Sequence, residues 1–268
     1  MKFSVITPNF NGAAHLAECL DSIRSQARDG VEVEQIVMDG GSSDSSMSIV
    51  EGFGDSIACA VSERDNGPAD AINKGFARAT GDIVAWLNAD DLYRPGALSR
   101  VARCFESDPR LALCFGRCDI VDAGGAPIRR AISRFKHAWY PFSCRFTIQI
   151  LNYVSQPALF FRREALVKAG PLRTDLVAAW DYEFLLRLWR QGGAKAIGGA
   201  PLSAFRWTPG SISGANYRRQ FDEELAAAEA DAGRYSPQAL LHRCVRWGIV
   251  TIYDRMTRDA AVASGASK

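Results

Sequence analysis

The chain has 268 residues, 47% of them hydrophobic, with 32 basic against 30 acidic side chains. That balance excludes a dedicated nucleic-acid binder, which shows a clear basic excess, and the length suffices to bury a core without a disulfide or metal staple. Seven cysteines at irregular spacing, no CxxC pair and three histidines exclude a disulfide framework and read as free thiols in a reducing compartment.

The opening MKFSVITPNFNG lacks the apolar run and cleavage site of a secretory signal. No window reaches the ~18 apolar residues of a membrane span, so a cytoplasmic location is expected. Residues 3–7 predict a strand, ended by the turn-like Pro8-Asn9-Phe10-Asn11-Gly12. Leu16, Cys19, Leu20 and Ile23 then repeat at helical spacing. Residues 35–38 predict strand two, ended by Asp39-Gly40-Gly41. Met47, Val50 and Phe53 mark a short helix that Asp44 would cap. Residues 57–62 predict strand three. Ile72, Phe76 and Ala79 give the next helix, with Gly81 as its C′ residue. Residues 83–87 predict strand four, and Pro95 would open a helix with Leu98, Val101, Ala102 and Phe105 inward.

Four βα units in series imply a mostly parallel α/β sheet with helices on both faces. Ligands of such sheets gather at the carboxyl ends of the strands. Thr7-Pro8-Asn9, Asp39-Gly40-Gly41, Asp65-Asn66-Gly67 and Asn88-Ala89-Asp90-Asp91 all fall there, so one shared site is expected.

The second half is less regular. Residues 111–115, 118–121 and 158–161 read as strands, with a turn at Gly124-Gly125. Residues 129–150 mix five basic with five aromatic side chains and read as a mobile loop. Residues 181–190 predict a helix burying Phe184, Leu185 and Leu188; two more follow at about 216–233 and 238–257, with Pro237 between.

Asp90 and Asp91 carry the sharpest chemical signal. Adjacent carboxylates at a strand end repel each other and are costly to desolvate. Mg²⁺ or Mn²⁺ resolves this, using one or two carboxylates plus substrate phosphates; the alternative is an Asx turn. No GxxxxGK[ST] or GxGxxG follows strand one, so phosphates must be held by another device. Asp39 is placed to accept hydrogen bonds from a base or ribose, and Gly40 and Gly41 would let a ligand approach the backbone.

Taken together, TPNFN, DGGSSD, SERDNGPADAINKGFARATGD, WLNADD, VSQPALFFRREAL, WDYEFLLRL and RWTPGSIS resemble family 2 glycosyltransferases of the GT-A type, most closely the bacterial surface-polysaccharide members. The resemblance covers about residues 3–215. It implies a GT-A (Rossmann-like) domain over 1–210, with a nucleotide-sugar half (1–115) and an acceptor half (116–210), then a helical extension over 211–268. It implies a nucleotide-diphosphate-sugar donor, with Thr7, Pro8, Asn9 and Asp39 around the nucleotide and Gly40, Asp65, Asn88 and Ala89 beside them.

The family's Asp-x-Asp metal motif falls on Asn88-Ala89-Asp90, which leaves Asp90 to hold Mn²⁺ or Mg²⁺. Its catalytic base falls on Asp181, for which a helix N-cap is the plain structural alternative. Asp91, Gln156 and Arg206 are candidate acceptor or phosphate contacts, and Asp70 stands between pocket lining and helix cap. The three histidines receive no role. Relatives often carry Arg-x-His where this chain has Arg206-Trp207-Thr208, so one expected metal or phosphate contact is missing.

The expected activity is inverting transfer of a sugar to a hydroxyl of a glycan or lipid-linked acceptor in bacterial polysaccharide biosynthesis. One alternative is a sugar nucleotidyltransferase, whose glycine-rich N-terminal signature is missing. Another is a non-catalytic nucleotide-sugar binding subunit, against which Asp90 and Asp181 argue. Residues 240–256 set apolar side chains beside three arginines. They read as a packed helix or dimer face, with peripheral contact at the inner membrane face as the other option.

Overall fold

The computed structural model describes residues 1–208 and 217–263. The Pro209-Gly210-Ser211-Ile212-Ser213 end of the RWTPGSIS stretch and the expected boundary at 210–211 lie outside the described residues.

The main sheet contains β1 (Lys2–Asn9), β2 (Glu32–Asp39), β3 (Cys59–Ser62), β4 (Ile83–Trp86), β6 (Leu111–Gly116), β9 (Leu159–Arg162) and β10 (Gly193–Ile197). Their order is β10-β6-β9-β4-β1-β2-β3. Pairing is parallel except at β9, which runs antiparallel to both neighbours. A smaller sheet, ordered β5-β11-β7-β8, is built from β5 (Leu92–Tyr93), β7 (Cys118–Val121), β8 (Pro127–Ile128) and β11 (Ser203–Arg206).

Successive strand residues point to opposite faces, and both faces here are apolar. On β4, Val84 and Trp86 join Ile6, Ile72 and Phe184 in one core. Ile83 and Ala85 join Phe3, Val5, Cys19 and Val101 in the other. The first face is therefore covered by α3 (Pro68–Phe76) and α8 (Trp180–Trp189), the second by α1 (Ala13–Arg24) and α4 (Ala97–Ser107). This double burial is why the strand sequences read as continuous apolar runs. Phe76, Trp86, Phe161 and Phe184 form an aromatic knot on the first face, with ring centroids 5.4–6.2 Å apart. Offset and edge-to-face aromatic pairs of this kind add ~0.5–1.5 kcal/mol each beyond area burial.

The remaining helices are α2 (Ser46–Gly52), α5 (Arg130–Ala138), α6 (Arg145–Ile150), α7 (Arg163–Ala169), α9 (Tyr217–Ala232) and α10 (Pro237–Ala263). Residues 129–150 are thus helical, not a loop. Their periodicity is hidden because α5 buries only Ser133, while Phe135, Phe142 and Phe146 face outward. Gly81 is not a helix cap, because α3 ends at Phe76. It lies against β1, where a Cβ would stand 2.7 Å from the Ser4 nitrogen. Pro95 precedes α4 without opening it; the helix starts at Ala97 behind Gly96, whose φ is +74°. No described helix is long and apolar enough to cross a membrane.

Candidate active site

The sheet order reverses between β1 and β4, because the chain runs outward through β2 and β3 before returning. A crevice opens at such a point. The β1–β2 register places Asn9 opposite Asp39, and the β2–β3 register places Asp39 opposite Ser62. Asp39 is 2% exposed and its carboxylate is saturated with donors. It accepts from Asn9 Nδ2 (2.7 Å), Ser42 Oγ (2.5 Å), Ser62 Oγ (2.6 Å) and the amides of Gly41 (3.2 Å) and Ser42 (2.9 Å). Burial pushes this carboxyl up, but the donors outweigh it and hold it below the usual range. Asp39 therefore stays ionised and organises the turn. Ser42 and Ser62, its partners, have no sequence signal beyond a serine-rich loop.

Asn9 gives its amide nitrogen to Asp39, which leaves its Oδ1 buried without a partner. That oxygen faces Gly12, and Ala89 closes on the same glycine. At Gly40 a Cβ would stand 2.6 Å from Asp65 Oδ2, so glycine lets the Asp65 carboxylate approach the β2 end. Thr7 and Pro8 are buried in β1, and nearby the Cys19 thiol donates to the Asn88 carbonyl at 3.3 Å. Asp70, in the first turn of α3, accepts from the Asn66 amide at 3.0 Å and so ties the preceding loop to the helix start. Asp44 likewise ties the amides of Ser46 and Ala13 at 3.0 Å.

The two neighbouring carboxylates are unlike. Asp91 is 0% exposed and accepts from the Arg206 amide (2.9 Å) and Asn88 Nδ2 (3.2 Å). Burial, then the Asp90 charge, push its carboxyl well above the usual range. Asn88 thereby acquires a physical reason: an aspartate there would set a third carboxylate against Asp91, whereas the amide donates to it. Asp90 is half-buried, and no other described residue donates to its carboxylate. Burial raises it, while the charges of His15 and Arg206 favour its ionised form.

Arg206 is 1% exposed. Its guanidinium bonds the carbonyls of Asp90 (2.9 Å), Asp122 (3.3 Å) and Ala123 (2.5 Å) and the Glu18 carboxylate (2.8 Å). Asp91 and Arg206, expected as acceptor or phosphate contacts, are buried against the Asp90 loop and engaged by protein groups there. Among the described residues no three His, Cys, Asp or Glu side chains gather as a metal cage. One open carboxylate suits a hard cation whose shell is completed by substrate oxygens.

Asp181 sits in the first turn of α8, directly after Trp180, which packs on Trp86 at 5.8 Å. The base candidate is thus keyed to the strand that delivers Asp90. With Asn152, Val154, Gln156, Leu159 and Tyr182 it lines a small recess. Burial, then the Glu224 carboxylate, raise the Asp181 carboxyl to about 6. Gln156 lines the recess too, but its Nε2 is committed to the Trp86 carbonyl at 2.8 Å. Glu183 pairs with Arg187 at 2.8 Å and is structural. A second cleft, lined by Met1, Asp82, Glu106, Arg162, Arg163 and Glu164, lies at the opposite end of the strands.

Residues 4–169 match the model of glycosyl transferase family 2, and the chain belongs to that family. A Nostoc sp. protein named an uncharacterized glycosyltransferase is 33% identical over 64% of this chain and 54% of its own. The O-antigen biosynthesis protein RfbC of Myxococcus xanthus is 33% identical over 69% of this chain and 14% of its own. The match therefore spans about half, or far less, of these relatives. Staphylococcus aureus TarS in complex with UDP-GlcNAc aligns over 88% of this chain and 68% of its own, with a TM-score of 0.68 and 19% identity. The mannosyltransferase PcManGT of Pyrobaculum calidifontis, in complex with GDP-Man and Mn²⁺, covers 98% of this chain and 79% of its own, with a TM-score of 0.65 and 19% identity. At such identity these structures establish a shared GT-A fold.

Proposed function

We propose that the protein is an inverting glycosyltransferase that moves a sugar from a nucleotide-diphosphate sugar to an acceptor hydroxyl in glycan biosynthesis. The observation that carries this is Asp181: a half-buried carboxylate with a raised proton affinity, keyed by Trp180 to the strand that presents Asp90. A carboxyl near 6 is ionised at neutral pH yet basic enough to work as a general base. Asp181 takes the proton of the acceptor hydroxyl as its oxygen bonds the anomeric carbon. The bond from that carbon to the diphosphate breaks from the opposite face, which inverts the centre. Asp90 would hold Mn²⁺ or Mg²⁺, which supplies Lewis-acid stabilisation for the departing diphosphate when bound.

Support for the donor class comes from the UDP- and GDP-sugar complexes of the structural relatives. On this side Asp39, Gly40 and Asp65 gather at the end of β2, where a donor nucleotide would lie. The O-antigen biosynthesis relative favours a glycan acceptor, free or lipid-linked.

Thermal shift with UDP and GDP, with and without Mn²⁺, tests the donor half, since binding raises apparent stability by mass action. One nucleotide should raise Tm, and Mn²⁺ should enlarge the rise. Asp90→Asn should abolish the Mn²⁺-dependent part and keep the rest. No shift with any nucleotide diphosphate defeats the reading.

A further inference from the structure

Helix α9 follows the stretch that carries the motifs, yet Glu223, Glu224 and Asp231 on it turn toward the body of the protein. Glu223 accepts from three consecutive amides: Val177 (3.1 Å), Ala178 (2.8 Å) and Ala179 (3.0 Å). Those residues form the peptide that enters α8, two positions before Asp181. Glu224 is 4% exposed and accepts from Asn152 Nδ2 at 3.2 Å and Gln220 Nε2 at 3.0 Å. Asn152 lines the same recess as Asp181, and its own Oδ1 is buried without a partner. Asp231 closes the helix onto the body through Arg145 (2.7 Å) and Arg190 (2.6 Å).

We propose that Glu223 and Glu224 are positioning residues for Asp181: Glu223 fixes the peptide from which the base projects, and Glu224 holds Asn152 and supplies negative field behind the base. The inference rests on the reading of Asp181 as general base. A surface helix needs no carboxylate buried to 4% exposure beside another acid. Desolvating two like charges together is unfavourable, so the arrangement destabilises the ionised Asp181 and makes it a stronger base. The raised affinity of Asp181, to about 6, has burial and then Glu224 as its causes. Lys136 of α5 acts on both carboxyls in the opposite sense. Tyr182 on α8, Asp231 on α9 and His242 on α10 complete the titratable surroundings.

The test is carboxyl-carbon NMR of aspartate-labelled protein, with the Asp181 signal identified by its loss in Asp181→Asn. The parent should titrate near 6, and Glu224→Gln should move the midpoint lower. In a nucleotide-release assay with UDP-GlcNAc or GDP-mannose, that shift should leave the variant with roughly threefold more of its plateau rate at pH 5 than the parent keeps. Glu223→Gln should speed amide exchange at 177–179 roughly tenfold, and Glu223→Asp, one methylene shorter, should fall between. Unchanged midpoint and unchanged exchange overturn the proposal. These readouts need no turnover, so they stand apart from the base reading, which fails instead if Asp181→Asn still releases nucleotide at the parental rate.

Discussion

Replacing Asp181 by asparagine should lower kcat by ~10²–10⁴-fold, the usual value of general-base assistance. Affinity for the nucleotide should not change, because Asp181 lies in the recess with Asn152 and Gln156, apart from the Asp39 turn. The amide keeps the shape and still accepts from the Tyr182 amide at 2.7 Å, so the N-terminal turn of α8 survives. The same substitution should affect stability in the opposite direction. A carboxyl whose folded pKa is raised to about 6 contributes stability below its unfolded pKa and loses it as pH rises through 6. Asn does not titrate. The Tm of the variant should therefore gain on the parent as pH rises from 4 to 7. Scanning calorimetry across that range decides it; a flat difference would mean that Asp181 is not held against its charge.

The second large effect is structural and falls on Arg206. Arg206→Met leaves the carbonyls of Asp90, Asp122 and Ala123 without their shared donor. A buried acceptor left unpaired costs ~1–3 kcal/mol, and breaking a buried charged network typically costs ~3–5 kcal/mol. Urea unfolding should show a loss in that range, with Mn²⁺-dependent nucleotide binding weakened through the slackened Asp90 loop. Arg206→Lys should rescue little, since one ammonium cannot match a planar fork that reaches three carbonyls and Glu18. A loss below ~1 kcal/mol with a selective fall in nucleotide affinity would instead make Arg206 a ligand contact.

These two residues show where sequence reading succeeds and stops. Asp39 and Asp181 stand out as candidates because one ends a strand and the other begins a helix, and Asp90 because it lies in the turn just after β4; topology puts strand ends together. Asp91 and Arg206 have the right chemistry for a site but are 0% and 1% exposed. Burial of a single polar residue follows from its partners, and those lie 115 residues apart for the Arg206 amide and Asp91. Glu223 and Glu224 were invisible for the same reason. In α9 they sit in the run Asp222-Glu223-Glu224, where nothing in the spacing separates the exposed acid from the two engaged ones. The helices of 129–150 were missed because their aromatic residues face outward, so no inward stripe marks the period. The apolar runs mark β1 to β4, β6, β7 and β9; β10 and β11 carry no such signal, since Gly193–Ile197 is partly exposed and Ser203–Arg206 spans only four residues.

Strand β9 has a consequence for how the chain is made. It is wedged between β4 and β6, and pairs with both from residues 159–162. Until those residues leave the ribosome, the inner edge of β4 has no partner, and neither does that edge of β6. An emerging chain of about 150 residues would hold β1 to β4 and β6, with β4 bare on one edge and β6 bare on both, since β10 is also unmade. Such edges template association with other chains, and pairing over long sequence separation is slow. Newly made protein should thus be most prone to aggregate at that length, and a truncation near residue 150 should be insoluble even though its first four strands are intact.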